Sequence, residues 1–129
     1  MRALIQYVML AVGFINKTRP INYLTSTVAE LVTLLDNGTV TSEQLVTAYL
    51  SRIDQNNHQG LFLRAVIEPA PYDNVIQLAR IADDERRSGV IRGPLHGIPI
   101  LIKDNIATHP SLGMSTTAGS FALGMFCGF

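Results

Sequence analysis

The sequence predicts an α/β fold, because two helical segments are followed by an apolar segment, a third helical segment and a second apolar segment. The apolar segments lie at residues 61–68 and 98–102, and the helical segment between them lies at residues 72–88. Strand, helix and strand in this order form a βαβ unit, in which the helix connects two parallel strands. We therefore expect a helical hairpin followed by a βαβ-type unit of a mixed sheet that is flanked by helices.

The predicted hairpin consists of helices at residues 25–35 and 42–55. Thr27 precedes Glu30 by three residues, and Thr41 precedes Gln44 by the same spacing, which is the pattern of a capping box. The Asn-Gly pair at 37–38 ends the first helix, and the short loop that follows lets the two helices pack against each other. Apolar residues of the second helix repeat along one face: Leu45, Val46, Tyr49, Leu50 and Ile53.

The first predicted strand, residues 61–68, is interrupted only by Arg64, and the following Pro69 ends it. We expect this strand to be mostly buried. The third helix ends in the charged run 83–87, and Gly89 follows at the position of a C-cap glycine. We interpret the charged run as the solvated end of the helix rather than as a ligand site.

Composition limits the classes of protein to consider. A chain of 129 residues with 47% hydrophobic content can bury one small core, which predicts one domain. Ten basic and ten acidic residues give a formal net charge of zero, so a nucleic-acid partner has no electrostatic support. The single cysteine, Cys127, excludes an internal disulfide and argues against a cysteine-based zinc site.

The N-terminal segment, residues 1–24, carries a feature of targeting sequences. Arg2 precedes an apolar run at 3–15, which resembles the apolar part of a signal peptide and is too short to span a bilayer. No small-x-small cleavage pair follows this run. Asn16 and Asn37 begin glycosylation motifs that matter only for a secreted chain. The sequence therefore leaves secretion and a cytoplasmic location both open.

Lys103 directly follows the second predicted strand, at its carboxyl end. Catalytic groups in α/β folds gather at such ends, because loops open there above a rigid sheet. By the two-residue period of a strand, Lys103 points to the same face as Leu101. Apolar neighbours on that face would favour the neutral amine, which can accept a proton from a serine hydroxyl. The alternative is a lysine that caps the strand in solvent and pairs with Asp104.

A series of motifs lies in order along the chain between residues 27 and 123. They are Glu-Leu at 30–31 with Gly38, Thr-Ser at 41–42, Leu-Val at 45–46, Tyr-Leu-Ser-Arg-Ile at 49–53, Ala-Val-Ile-Glu at 65–68, Ala-Asp at 82–83 with Glu-Arg at 85–86, Gly-Pro-Leu-His-Gly-Ile-Pro-Ile at 93–100, Lys-Asp-Asn at 103–105 and Thr-Thr-Ala-Gly-Ser at 116–120. Together they resemble the N-terminal part of the amidase signature family.

This resemblance implies a serine hydrolase that cleaves carboxamide C–N bonds with a Ser-cisSer-Lys triad and with no metal or organic cofactor. Lys103 matches the catalytic lysine of the family, which serves as general base and acid. The two catalytic serines of the family belong to a downstream segment rich in glycine and serine, and the 129 residues contain no such segment. The resemblance places further residues at the border of the active site: Asp104, Thr116, Thr117, Gly119 and Ser120.

We do not interpret His96, Ser115 or Ser120 as catalytic residues. His96 lies in a turn, without a second ligand or a nucleophile beside it in the sequence, so we interpret it as structural. Ser120 and Ser115 have the hydroxyl of a substitute nucleophile, but a reactive serine also needs oxyanion donors. We therefore interpret Ser120 as a turn hydroxyl that bonds nearby backbone.

The resemblance predicts three parts of the chain: an N-terminal segment at 1–24, a partial amidase domain at 25–123, and a tail at 124–129 that does not resemble the family. Two functions follow from this division. The chain is the N-terminal portion of an amidase whose small-molecule amide substrate is not specified, or it is an inactive fragment that binds a full-length relative. Unpaired strand edges are expected in the second case. The sequence does not predict an oligomeric state.

Overall fold

The structure is a computed structural model, and it describes residues 22–120 and residue 122. Within these residues the chain forms three α helices: α1 (Val28–Asp36), α2 (Ser42–Asn56) and α3 (Tyr72–Arg87). A 3₁₀ helix, Pro110–Leu112, follows in the long C-terminal loop. The three predicted helices are confirmed. The signal-peptide-like run at 3–15, the motif at Asn16 and the tail at 124–129 lie outside the described residues.

The first two helices begin at the predicted capping boxes. The backbone N–H of Glu30 donates to the hydroxyl of Thr27 at 3.3 Å, and the Thr27 N–H donates to the Glu30 carboxylate at 2.7 Å. The Gln44 N–H and the Thr41 hydroxyl lie 3.1 Å apart, and the Thr41 N–H donates to the Gln44 side chain at 3.0 Å. Each box therefore satisfies backbone donors that the helix itself leaves free.

The third helix ends as predicted at Gly89, which has a φ of +84°. The Gly89 N–H donates to the carbonyl of Arg86 at 3.0 Å, and the Val90 N–H donates to the carbonyl of Glu85 at 2.8 Å. These two bonds form a Schellman motif, in which a glycine adopts the left-handed conformation without steric cost.

Two small clusters of buried side chains hold the helices together. The first joins α1 to α2 and contains Leu31, Leu35, Val40 and Leu45, with the rings of Tyr23 and Tyr49 packed edge to face at its border. The second joins α2 to α3 and contains Val46, Ile76 and Ala79. Since α2 contributes to both clusters, it is the central helix, and the predicted packing of the helical hairpin is confirmed.

The charged run at the end of α3 does more than face solvent. The carboxylate of Asp83 accepts the backbone N–H of Ser42 at 2.7 Å and that of Glu43 at 3.1 Å, both in the first turn of α2. Asp84 behaves as predicted, since it is exposed and pairs with Arg87 on the surface. The interpretation of the whole run as a solvated end is therefore wrong for Asp83, which caps a neighbouring helix, and for Arg86, whose side chain is only 15% exposed.

Replacement of Asp83 by alanine should lower the free energy of unfolding by about 1–2 kcal/mol, the usual value of an N-terminal helix cap. The loss arises because two amides of the first turn of α2 lose a charged acceptor. Urea unfolding followed by circular dichroism measures it. Asp84→Ala is the matched control, and its exposed ion pair is worth at most about 1 kcal/mol. Equal losses for the two variants would contradict the capping role.

The first predicted strand is not formed within the described residues. Phe62 and Arg64 have φ values of 51° and 47°, which do not fit an extended strand. Val66 finds its hydrogen-bond partner in the buried side chain of Asn57, which donates to the Val66 carbonyl at 2.6 Å and accepts the Val66 N–H at 3.0 Å. The side-chain amide of Asn57 thus forms hydrogen bonds with the N–H and the carbonyl of Val66, which would otherwise be free to pair with a neighbouring strand.

The second predicted strand, residues 98–102, is also unpaired within residues 22–120. Ile100 and Leu101 are 63% and 77% exposed. The expectation that the first segment, 61–68, is mostly buried is wrong for the described residues, because Leu61, Leu63 and Ile67 are 61–78% exposed. A strand forms only against a partner that satisfies its backbone groups, and neither apolar segment has such a partner in this part of the structure. The described residues therefore show helices and extended loops, and they do not show the predicted βαβ unit.

None of the described helices has the length and apolar character needed to cross a membrane.

Candidate active site

The extended segment that leads to Lys103 begins at a turn in which the side chain of His96 is buried. His96 is 8% exposed; its Nε2 lies 2.9 Å from the carbonyl oxygen of Ala82, and its Nδ1 accepts the N–H of Arg92 at 3.3 Å. An acceptor at Nδ1 leaves the proton on Nε2, which then donates to Ala82. Arg86 adds a hydrogen bond from its guanidinium to the His96 carbonyl at 2.8 Å. The interpretation of His96 as structural is confirmed.

Gly97 brings this turn into direct contact with α2. Its φ is +79°, and a Cβ atom at this position would lie 2.1 Å from the hydroxyl oxygen of Ser42, whose residue is completely buried. A position with positive φ and no room for a methyl group accepts only glycine. The turn is therefore fixed against the start of α2, and this contact sets the point from which residues 98–103 leave the helical core.

Lys103 lies at the end of that segment and is exposed. The Ile106 N–H donates to the Lys103 carbonyl at 2.9 Å, so a tight turn begins at the lysine. Among the described residues no carboxylate lies within ion-pair distance of its amine. Because the lysine is exposed, the expected dehydration of its amine is not seen in this part of the structure. Because no carboxylate is close enough, the alternative pairing with Asp104 is not seen there either.

Asp104 instead bonds a distant part of the loop. Its carboxylate accepts the Thr117 N–H at 3.3 Å, the Thr117 hydroxyl at 3.1 Å and the Gly119 N–H at 3.0 Å. Hydrogen bonds favour the ionised form, so these contacts, led by the Thr117 N–H, hold the pKa of Asp104 below its usual value. The carboxylate of Asp104 therefore bonds the backbone of the loop, and an ion pair with Lys103 is not seen among the described residues.

The residues that Asp104 holds form a tight turn at 117–120. The Ser120 N–H donates to the Thr117 carbonyl at 2.8 Å, and the two central residues, Ala118 and Gly119, have φ values of 48° and 76°. Positive φ at both central positions is the geometry of a type I′ turn. Three of the predicted border residues, Thr117, Gly119 and Ser120, are thus brought together with Asp104. Ser120 lies in a turn as interpreted, but it bonds the backbone through its N–H, and the expected hydrogen bond of its hydroxyl is not seen among the described residues.

Two further contacts hold the rest of the loop. The hydroxyl of Thr116 accepts the Thr108 N–H at 3.1 Å and lies 2.9 Å from the Thr108 hydroxyl. The Ser115 N–H donates to the carboxylate of Glu68 at 3.2 Å. Thr116 therefore fixes the base of the loop, whereas the hydrogen bonds of the Asp104 carboxylate go to residues 117 and 119. The loop at 104–120 is a connected unit that starts next to Lys103.

Comparison with known proteins identifies the protein family of this chain. The model of the Amidase family matches residues 44–126, which is more than half of the chain. The match includes the His96 turn, Lys103 and the loop held by Asp104. The chain belongs to the amidase family, and the predicted resemblance is confirmed.

Individual relatives agree with this assignment. A protein of Schizosaccharomyces pombe that is named as an amidase is 43% identical over 98 residues, covering 76% of this chain and 16% of the relative. A subunit of the glutamyl-tRNA(Gln) amidotransferase of Chloroflexus aggregans is 41% identical over 106 residues, covering 82% and 20%. The crystal structure of the peptide amidase from Stenotrophomonas maltophilia superposes with a TM-score of 0.70 at 46% identity, covering 80% and 20%. The chain spans at most about a fifth of the length of these relatives.

Proposed function

We propose that this chain supplies the lysine-bearing part of a serine hydrolase that cleaves carboxamide C–N bonds. The observation that supports this proposal is the match to the Amidase family over residues 44–126, which includes Lys103 and the adjoining loop. In the proposal Lys103 is the general base and acid of a Ser-cisSer-Lys triad. Asp104, Thr116, Thr117, Gly119 and Ser120 border the site where the amide reacts.

The proposed reaction begins when the neutral amine of Lys103 takes a proton through the bridging serine from the nucleophilic serine. The serine oxygen then bonds to the carbonyl carbon of the substrate, and the C–N bond breaks as the lysine proton passes to the leaving nitrogen. Water releases the acyl group in a second step of the same kind. No metal or organic cofactor takes part in this scheme.

The serines and the oxyanion donors of this scheme lie outside the 129 residues, since these contain no segment rich in glycine and serine. In the proposal the same missing part covers the exposed segment 100–102 next to Lys103. A lysine accepts protons only in its neutral form, and burial among apolar groups favours that form. The exposed isoleucine and leucine side chains of this segment are suitable for such a contact.

A hybrid enzyme tests the proposal. Residues 22–120 of this chain replace the matched part of the Stenotrophomonas maltophilia peptide amidase, which supplies the remaining four-fifths of an amidase. We expect the hybrid to release ammonia from a peptide amide, because the two proteins are 46% identical over the exchanged part. A parallel assay with the unchanged peptide amidase gives the reference rate, and thermal unfolding shows whether the hybrid is folded.

A folded hybrid without activity would contradict the proposal and favour the second function, an inactive chain that binds a full-length relative. One observation supports that alternative. Large apolar side chains in two segments, at 61–63 and 67 and at 100–102, are 42–78% exposed. Apolar side chains that are exposed close together in the sequence, as in each of these segments, are suited to contact another polypeptide.

A further inference from the structure

The turn at 117–120 contains a strained residue. Ala118 has a φ of 48°, a left-handed conformation that residues with a Cβ atom rarely adopt because the Cβ approaches the following carbonyl oxygen. Gly119, with a φ of 76°, has no such restriction. Strained backbone persists only where the surroundings hold it, and it is concentrated at functional sites. The contacts of this turn must therefore compensate for the conformation of Ala118.

Those contacts converge on one carboxylate. Thr117 donates its N–H and its hydroxyl to Asp104, and Gly119 donates its N–H, so the donors flank Ala118 on both sides. Hydrogen bonds to an ionised acceptor are stronger than those between neutral groups. Asp104 is also the direct neighbour of Lys103 in the sequence. One residue thus connects the turn to the segment that bears the lysine.

We propose that Asp104 is a positioning residue, whose ionised carboxylate holds the 117–120 turn in its strained shape beside the segment that bears Lys103. This inference rests on the proposed function, in which the turn borders the reacting amide. Asp104 itself does not transfer protons in this scheme. Its contribution is to keep Thr117, Gly119 and Ser120 in a fixed place relative to the lysine.

The charge state of Asp104 should decide whether the turn forms. The hydrogen bonds hold its pKa below the ordinary value, so the contribution of the carboxylate to the turn is complete above about pH 4 and is lost as the pH falls through the lowered pKa. The other ionisable side chains of the described loop and its neighbours are Lys103, Glu68, which accepts the Ser115 N–H, and His109, which caps the 3₁₀ helix. None of them donates to or accepts from the turn amides.

Nuclear magnetic resonance on the 129-residue chain tests this role. The amide signals of Thr117 and Gly119 should titrate together, with a midpoint below about pH 3.9, the ordinary value for aspartate. Asp104→Asn should abolish this titration and raise the hydrogen-exchange rate of both amides roughly tenfold at neutral pH, since a charged acceptor is lost. Asp104→Glu keeps a carboxylate and should restore the titration of at least one amide.

Two further variants show whether the change in the turn amides comes from the Asp104 carboxylate itself or from the loss of any negative charge. Asp54→Asn removes an exposed carboxylate on α2 and should leave both amide titrations unchanged. Adding Ala118→Gly to Asp104→Asn should recover part of the lost protection, because glycine adopts positive φ without strain. The amides of Leu45 and Val46, two buried residues of α2, report whether the helical core stays folded in each variant.

Amide titrations that persist in Asp104→Asn, or an Asp104→Glu variant that behaves like Asp104→Asn, would overturn the positioning role. The measurement needs no substrate turnover, so its failure is distinct from failure of the proposed function. An inactive hybrid enzyme together with titrating amides would remove the hydrolase proposal. In that case Asp104 would still hold the turn, without the catalytic purpose assigned to it.

Discussion

Replacement of Lys103 by alanine in the hybrid enzyme is expected to lower kcat for amide hydrolysis by about 10²–10⁴-fold, the contribution of a general acid–base group. The reason is that Lys103 is the proton acceptor for the attacking serine and the proton donor for the leaving nitrogen in the proposed scheme. KM should change little, because the amine acts on the reacting groups and not on the rest of the substrate. Steady-state kinetics of ammonia release measure both parameters.

Two matched variants sharpen this test. Lys103→Arg keeps the positive charge but should be as inactive as Lys103→Ala, since a guanidinium does not lose its proton in a protein. Arg52→Ala removes an exposed cation from α2 and should leave kcat unchanged. Activity above a tenth of the hybrid's rate in Lys103→Ala would show that the lysine is not the base.

Replacement of Gly97 by alanine should lower the free energy of unfolding by about 3 kcal/mol, which is large for the addition of one methyl group. About 1–2 kcal/mol comes from the positive φ, and the rest from overpacking against a fully buried neighbour. The added methyl group would lie 2.1 Å from the hydroxyl oxygen of Ser42. Urea unfolding of the 129-residue chain measures the loss.

Gly89→Ala is the control for this prediction, because Gly89 has a similar φ of +84° and no atom within 4 Å of the position that a methyl group would take. It should cost only about 1–2 kcal/mol, the conformational part alone. Ser42→Ala removes the clashing hydroxyl, which has no hydrogen-bond partner among the described residues, and by itself should be nearly neutral. The double variant should recover part of the Gly97→Ala loss; full additivity would show that the two residues do not interact.

The helices were predictable because their signals are local. Thr27 with Glu30 and Thr41 with Gln44 form their boxes within one helical turn, and Gly89 ends α3 by its own conformational freedom. The strands were not predictable in the same way. An apolar run shows that a segment favours burial, but a strand also needs a second segment to bond its backbone. In the described residues the backbone groups of Val66 form hydrogen bonds with the side chain of Asn57 instead of with a second strand.

The order of residues was enough to identify the family, the three helices with their caps, and the place of Lys103 and its neighbouring motif in the chain. Three contacts became visible only in the folded chain: Asp83 caps α2 from 41 residues away, Gly97 lies against Ser42, and Asp104 holds the turn 13 residues beyond it. The difference lies in the range of the interactions. Caps and amphipathic periods act between residues a few positions apart, whereas these contacts depend on how separate segments pack together in space.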